Sequence, residues 1–132
     1  MIHPLEKALC VSFLLVGLSH VLHARRWCEF FERLFGSPAG PLAIAMYTLP
    51  AGLLVVLVHN VWRWDLAILV TIYGWAATIK GGTYFLLPGV CERVAHQRRR
   101  TPRNFMIAGL VVFAVGLAMG YDWLMRDPLL AG

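Results

Sequence analysis

The sequence predicts an all-α integral membrane protein, a four-transmembrane-helix bundle that forms a single domain over residues 1–132. Apolar residues make up 59% of the chain and charged residues only 14%, which is more apolar surface than a soluble domain of this size can cover. Long apolar segments recur along the chain between stretches that contain turn-forming residues or arginine. The arginines flank these segments, and this is the pattern that orients membrane helices.

Four segments are predicted to cross the membrane: residues 8–24, 42–60, 66–87 and 105–124. The third is the critical one because it contains a charged side chain, that of Lys80. Its 22 residues rise about 33 Å, against a hydrocarbon core of roughly 30 Å. A central lysine costs about 2.5–3.5 kcal/mol, whereas each of nine Leu, Ile, Val and Phe residues returns about 0.3–0.6 kcal/mol. The segment is therefore expected to insert.

The connector after the first span is predicted to be an amphipathic helix over residues 25–35. Trp27, Phe30, Phe31 and Leu34 recur at the spacing of one helix face, with acidic and basic side chains opposite them. Such a helix is expected to lie in the lipid headgroup region.

The connector after the third span is predicted to be a loop and not a helix. Pro88 is expected to end the third helix, and residues 89–104 are expected to form a basic loop.

The distribution of basic residues predicts the orientation. The first and third connectors carry eight arginines, and the opposite side carries three basic residues, Lys7, Arg63 and Arg126. The positive-inside rule then places those two connectors in the cytoplasm and both termini outside, in an inner membrane. The arginine-rich third connector is also expected to contact anionic lipid headgroups. A nucleic-acid partner is not predicted. The eight arginines are Arg25, Arg26, Arg33, Arg93, Arg98, Arg99, Arg100 and Arg103.

Polar side chains predicted at similar depth define a candidate ligand site in the cytoplasmic half of the bundle. Its members are His20, His23, Tyr47, Lys80 and Tyr84. An ionisable residue inside a membrane segment is a functional hypothesis by default, and the expected ligand is a headgroup, a carboxylate or a quinone oxygen. The alternative is structural: Lys80 snorkels to the interface with its stem packed on tyrosines.

No metal or cofactor is predicted. His20 and His23 have a possible metal spacing but no third ligand, and His59 lies at the opposite side of the membrane, which disfavours a haem held by two histidines. Cys10, Cys28 and Cys91 match no metal motif and are interpreted as free thiols. No carboxylate lies within a span, which argues against a proton-coupled cation exporter.

Small residues at four-residue spacing predict close helix packing, within the bundle or between copies. They are Gly74, Thr78 and Gly82 in the third span and Gly116 and Gly120 in the fourth.

Three pieces of the chain resemble the layout of small bacterial four-helix membrane proteins of the DoxX-like kind. They are GLSH at residues 17–20, WCEFFERLF at 27–35 and LPAGLLVV at 49–56. The resemblance covers the whole chain as a layout and implies a compact four-helix inner-membrane protein. It implies no functional residues.

Three functions remain open on the sequence alone. The first is a non-enzymatic accessory subunit that packs against other transmembrane chains or copies of itself, indicated by short connectors and small-residue faces. The second is a homo-oligomeric transporter or channel for a small anionic or lipid-like solute, with Lys80 in its site. The third is a quinone-linked membrane oxidoreductase that uses His20, His23 and Lys80.

Overall fold

The computed structural model describes residues 4–97 and 100–126, with only the backbone described at residues 95–97. The all-helical prediction is confirmed. Six helices form in the described part of the chain: α1 (Pro4–Leu22), α2 (Ala24–Phe35), α3 (Gly40–Val58), α4 (Ala67–Leu86), α5 (Pro88–Gln97) and α6 (Pro102–Arg126).

The four longest helices pack as two antiparallel pairs, α1 with α6 and α3 with α4. We call the end that carries α2 and α5 the connector end. The opposite end, where residues 59–66 join α3 to α4, is the loop end.

Helices α1 and α6 cross at glycines that let the two backbones touch. A Cβ atom on Gly17 would lie 2.5 Å from the backbone nitrogen of Phe113 and 2.8 Å from the carbonyl oxygen of Gly109. Further toward the loop end, Gly116 and Gly120 also face α1, and the Cys10 thiol donates a hydrogen bond to the Gly116 carbonyl at 3.3 Å. In a membrane, such close approach gives van der Waals contact where no hydrophobic effect acts between helices.

Helices α3 and α4 also approach each other closely at glycines. A Cβ atom on Gly74 would lie 2.5 Å from the Val55 side chain, and one on Gly81 would lie 2.6 Å from the backbone nitrogen of Leu49. Thr78 packs against Gly52 between these two contacts.

The predicted packing residue Gly82 differs from its neighbours, because a Cβ atom there would meet nothing within 4 Å. At this level of α4, the glycine in contact with α3 is therefore Gly81 and not Gly82.

Polar side chains and a small apolar core join the two pairs at the loop end. His59, which is 2% exposed, forms a hydrogen bond with the Glu6 carboxylate of α1 at 2.7 Å between Nε2 and Oε1. Thr71 donates its hydroxyl to the Val61 carbonyl at 2.9 Å. Arg126 of α6 lies 3.7 Å from the carboxylate of Asp65. The apolar core beside them consists of Cys10, Val55, Val70 and Met119.

The two connectors contain helices that lie beside the long ones. The predicted amphipathic segment forms α2, which turns away from α1 at His23 and is held by a hydrogen bond from the Trp27 indole to Ser19 at 3.0 Å.

The loop predicted after Pro88 is wrong in its first part, because α5 begins there. Proline ended the helix before it but also fits the first turn of the next one, where its missing N–H has no partner to lose. Cys91 of α5 is buried against the rest of the protein. Arg98 and Arg99 of the same predicted loop lie outside the described residues.

Three described helices, α1, α3 and α6, are long and apolar enough to cross a membrane. Helix α4 has 20 residues, but it is not among them, because Lys80, its glycines and its hydroxyl-bearing side chains lower its mean hydropathy. Large apolar side chains such as Leu15, Leu57 and Leu86 point outward and are more than 60% exposed. The structure is therefore compatible with a membrane.

Adding one methyl group at the α1–α6 crossing tests the packing. Gly17→Ala places a carbon against the backbone of α6, so we expect the free energy of unfolding to fall by about 1–3 kcal/mol. Gly82→Ala is the matched control, since it adds the same group in open space and gains helix propensity of up to about 1 kcal/mol. Unfolding in detergent, followed by circular dichroism, measures both. Equal stability of the two variants would contradict the crossing.

Candidate functional site

A cavity of about 540 Å³ opens at the connector end, between α2, α4, α5 and α6. This volume falls within the range of about 300–1,000 Å³ that is typical of ligand pockets. Most of its walls are aromatic or aliphatic, and two cationic side chains reach into it. The lining residues are Phe31, Phe35, Lys80, Thr83, Tyr84, Val90, Cys91, Val94, Arg100, Asn104, Phe105 and Ala108.

Lys80 is the first of the two cations, and it stands over the ring of Tyr84. Its ammonium nitrogen lies 5.7 Å from the ring centroid, within the range of a cation–π contact. The Tyr84 ring in turn meets Phe35 of α2 edge to face, with centroids 6.3 Å apart and an interplanar angle of 87°. The lysine charge therefore rests on an aromatic support that connects α4 to α2.

Arg100 is the second cation, and it is not among the site residues predicted from the sequence. Its guanidinium carbon lies 4.3 Å from the centroid of the Phe35 ring. Phe35 therefore supports Arg100 and also contacts the ring that supports Lys80, so the two cations belong to one contiguous arrangement. The run of basic residues gave a signal for orientation only, and nothing in the sequence marked Phe35 as the partner of Arg100.

Neither cation has an acidic side chain within 4 Å among the described residues. The ion pairs in that part of the chain lie elsewhere, such as Arg25 with Glu29 at 3.2 Å and Arg126 with Asp122 at 2.7 Å. The Glu32 carboxylate accepts a hydrogen bond from the Cys28 thiol at 3.6 Å. The described side chains thus form no ion pair with Lys80 or Arg100 within that distance.

The smaller polar groups of the cavity differ in their availability. The Thr83 hydroxyl donates to the Ile79 carbonyl at 2.8 Å, within its own helix. Asn104 is exposed at the start of α6, with its backbone N–H directed to the Thr101 hydroxyl at 3.4 Å. Its side-chain amide remains available for a ligand.

The other predicted site residues lie apart from Lys80 and Tyr84. His20 stacks on Trp27, with centroids 4.3 Å apart, and donates its Nδ1–H to the Val16 carbonyl at 2.8 Å. It does not line the cavity itself but contacts the lining residue Phe105, whose ring centroid is 6.0 Å from its own. His23 is exposed at the junction of α1 and α2.

Tyr47 is 81% exposed on the outer face of α3 and does not line the cavity. The structure thus brings together two of the five predicted residues, Lys80 and Tyr84.

No group of three or more His, Cys, Asp or Glu side chains comes together among the described residues to hold a metal ion. The three cysteines are free, and each is buried. The polar and aromatic groups that line the cavity are two cations, a side-chain amide, hydroxyls, a thiol and aromatic rings.

The chain matches no protein-family model, no curated protein and no solved structure in comparisons with each. The resemblance to DoxX-like proteins stays a prediction. What the fold and cavity define is a class: an all-helical, membrane-compatible protein with an apolar cavity that contains two cations.

The reactivity of the Cys91 thiol tests whether the cavity wall is buried as the structure shows. Burial raises the pKa of this thiol above its ordinary value, so less thiolate is present at neutral pH and alkylation is slower. We expect Cys91 to react with iodoacetamide more slowly than a cysteine in a short peptide at pH 7.5. Its rate should continue to rise at pH values where the peptide, whose thiol titrates near about 8.5, has reached its plateau. Peptide-resolved mass spectrometry measures both rates, and the unfolded protein is the control. Equal rates at pH 7.5 would refute the burial.

Proposed function

We propose that this chain is a non-enzymatic, four-span inner-membrane protein that binds an anionic amphiphile in the cavity at its connector end. The observation that carries the proposal is the pair of cations, Lys80 and Arg100, in an otherwise largely apolar cavity. A molecule with an anionic head and a hydrocarbon chain matches both properties of the site.

The pairing of α4 with α3 supports a fourth span. Contacts between them run from Val55 and Gly74 to Leu49 and Gly81, so the two helices lie antiparallel over several turns. A helix of 20 residues is about 30 Å long, which equals the thickness of the hydrocarbon core. If α3 crosses the bilayer, its neighbour of equal length crosses it too.

The surplus of arginine at the connector end supports a cytoplasmic location for the cavity. Arg93 and Arg103 are exposed there and are available to anionic headgroups. The site then lies where α2 meets the inner leaflet, within reach of lipids.

The electrostatics favour an anion strongly. A lysine near the centre of a membrane helix costs about 2.5–3.5 kcal/mol to insert. Lys80 has a ring beneath it and no acidic partner within 4 Å among the described residues. An anionic ligand supplies the missing charge where the dielectric constant is low and the attraction is therefore strong.

Binding of two ligands with the same hydrocarbon chain tests the proposal. We expect hexadecyl sulfate to bind the protein in nanodiscs at least about tenfold more tightly than hexadecanol, which corresponds to about 1.4 kcal/mol. Lys80→Met and Arg100→Gln should each abolish most of this preference, because each removes one charge. Native mass spectrometry and displacement of a fluorescent fatty-acid probe provide the two measurements.

Arg93→Gln is the matched control, since it removes an exposed arginine of α5 that does not line the cavity. It should bind hexadecyl sulfate as the unmodified protein does. Equal affinity of the unmodified protein for the sulfate and the alcohol would refute the proposed function.

A second candidate is the accessory subunit that packs against other transmembrane chains. One observation favours it: Gly82 gives α4 a small residue with open space above it, on a face that no helix of the bundle covers among the described residues. A neighbouring helix would approach closely there.

Two adjacent leucine substitutions test this candidate. Gly82→Leu should leave the fold intact but remove co-purifying polypeptides, because the side chain blocks the outer face of α4. Gly81→Leu should instead unfold the protein, since it collides with the α3 backbone at Leu49. Purification in mild detergent followed by native mass spectrometry distinguishes the two. An unchanged set of bound chains in Gly82→Leu would refute a partner at this face.

A further inference from the structure

The cavity holds two cations on one aromatic support, and this determines how much negative charge its ligand must carry. Lys80 lies over Tyr84, Arg100 lies over Phe35, and the two rings meet edge to face. Lys80 and Arg100 both line the cavity, so a ligand head bound there is exposed to the charge of both. A head with a single negative charge would leave one of them uncompensated.

The donors available in the cavity match the oxygens of a phosphoryl group. The Arg100 guanidinium presents a fork of N–H groups suited to phosphate, and the Lys80 ammonium acts as a point charge. The Asn104 side-chain amide adds a neutral donor in the same lining. A phosphate monoester carries about −1.5 to −2 charges at pH 7 and three strong acceptor oxygens. It satisfies both cations and leaves an acceptor for the amide.

The remaining lining indicates that this phosphate is attached to hydrocarbon. Phe31, Phe105, Val90, Val94 and Ala108 offer apolar surface that a free phosphate ion would not use. Each buried methylene group of an alkyl chain contributes about 0.8 kcal/mol. The polar and apolar parts of the cavity are therefore both satisfied only by an amphiphile.

We infer that the ligand of the cavity is a membrane-soluble phosphate monoester, with its phosphate between Lys80 and Arg100 and its hydrocarbon chain against the aromatic and aliphatic wall. This inference rests on the function proposed above and narrows its ligand class. Zwitterionic lipids are disfavoured because their cationic group meets the two cations of the site, and phosphodiesters because they carry one charge.

Hexadecyl phosphate and hexadecyl sulfate test the inference, because they share chain length and tetrahedral shape and differ in charge. At pH 7.5 we expect the phosphate to bind the protein in nanodiscs at least about tenfold more tightly. The phosphate loses its second proton near a pKa of about 6, whereas the sulfate carries one charge throughout. The preference should therefore shrink to about twofold or less at pH 5, where the phosphate also carries about one charge.

Two variants of Arg100 and one control variant show which side chain causes the preference for phosphate. Arg100→Gln should bind both compounds equally at pH 7.5, and Arg100→Lys should restore part of the preference because it keeps the charge and loses the fork. Arg93→Gln should retain the full preference. Thermal unfolding of each purified variant shows that it is folded before its binding is compared.

The outcomes separate the inference from the proposed function. Equal binding of phosphate and sulfate, with neither alcohol nor zwitterion bound, overturns the phosphate assignment and leaves the anionic amphiphile. Absence of binding by both anions overturns both. Inorganic phosphate at millimolar concentration tests whether the ligand is a free anion. If it displaces hexadecyl phosphate, the hydrocarbon chain contributes nothing to binding, and a ligand from the membrane is excluded.

Discussion

The close approach of backbones at glycine is the constraint on which the rest of this structure depends. At Gly17 and at Gly81 the neighbouring helix lies where a side chain would be, so any larger residue forces the pair apart. The two contacts define two rigid pairs, α1 with α6 and α3 with α4. What remains between the pairs is then determined by how they meet at their two ends.

The ends differ in how the pairs are joined. At the loop end, the bond between Glu6 and His59 crosses from one pair to the other beside a closed apolar core. At the connector end, α2 and α5 occupy the space between α4 and α6. These shorter helices meet the long ones through aromatic rings such as Phe31 and Phe105, whose centroids are 5.6 Å apart. The cavity is the space that these rings leave unfilled.

The sequence was informative about elements and less informative about how they face one another. The segments predicted at 42–60 and 66–87 became Gly40–Val58 and Ala67–Leu86, because apolar runs bounded by turn residues mark helices directly. The sequence predicts the depth of each candidate site residue and which residues of one helix share a face, but not which way that face points. Depth does not determine rotation about the helix axis, so Tyr47, at a suitable depth, points outward, while Tyr84 points inward. The contact between Arg100 and Phe35 joins residues far apart in the chain, and only the tertiary fold reveals it.

Arg100 belongs to the basic run from which the orientation is predicted, and it also lines the cavity. The positive-inside rule requires only that arginines remain at one side of the membrane, and it is satisfied by any of those at the connector end. Arg100 lies between the end of α5 at Gln97 and the start of α6 at Pro102, and its side chain lines the cavity. This arginine of the basic run rests on the Phe35 ring. Arg100 and Lys80 thus line one largely apolar cavity, and in that surrounding a cation attracts an anion more strongly than it would in water.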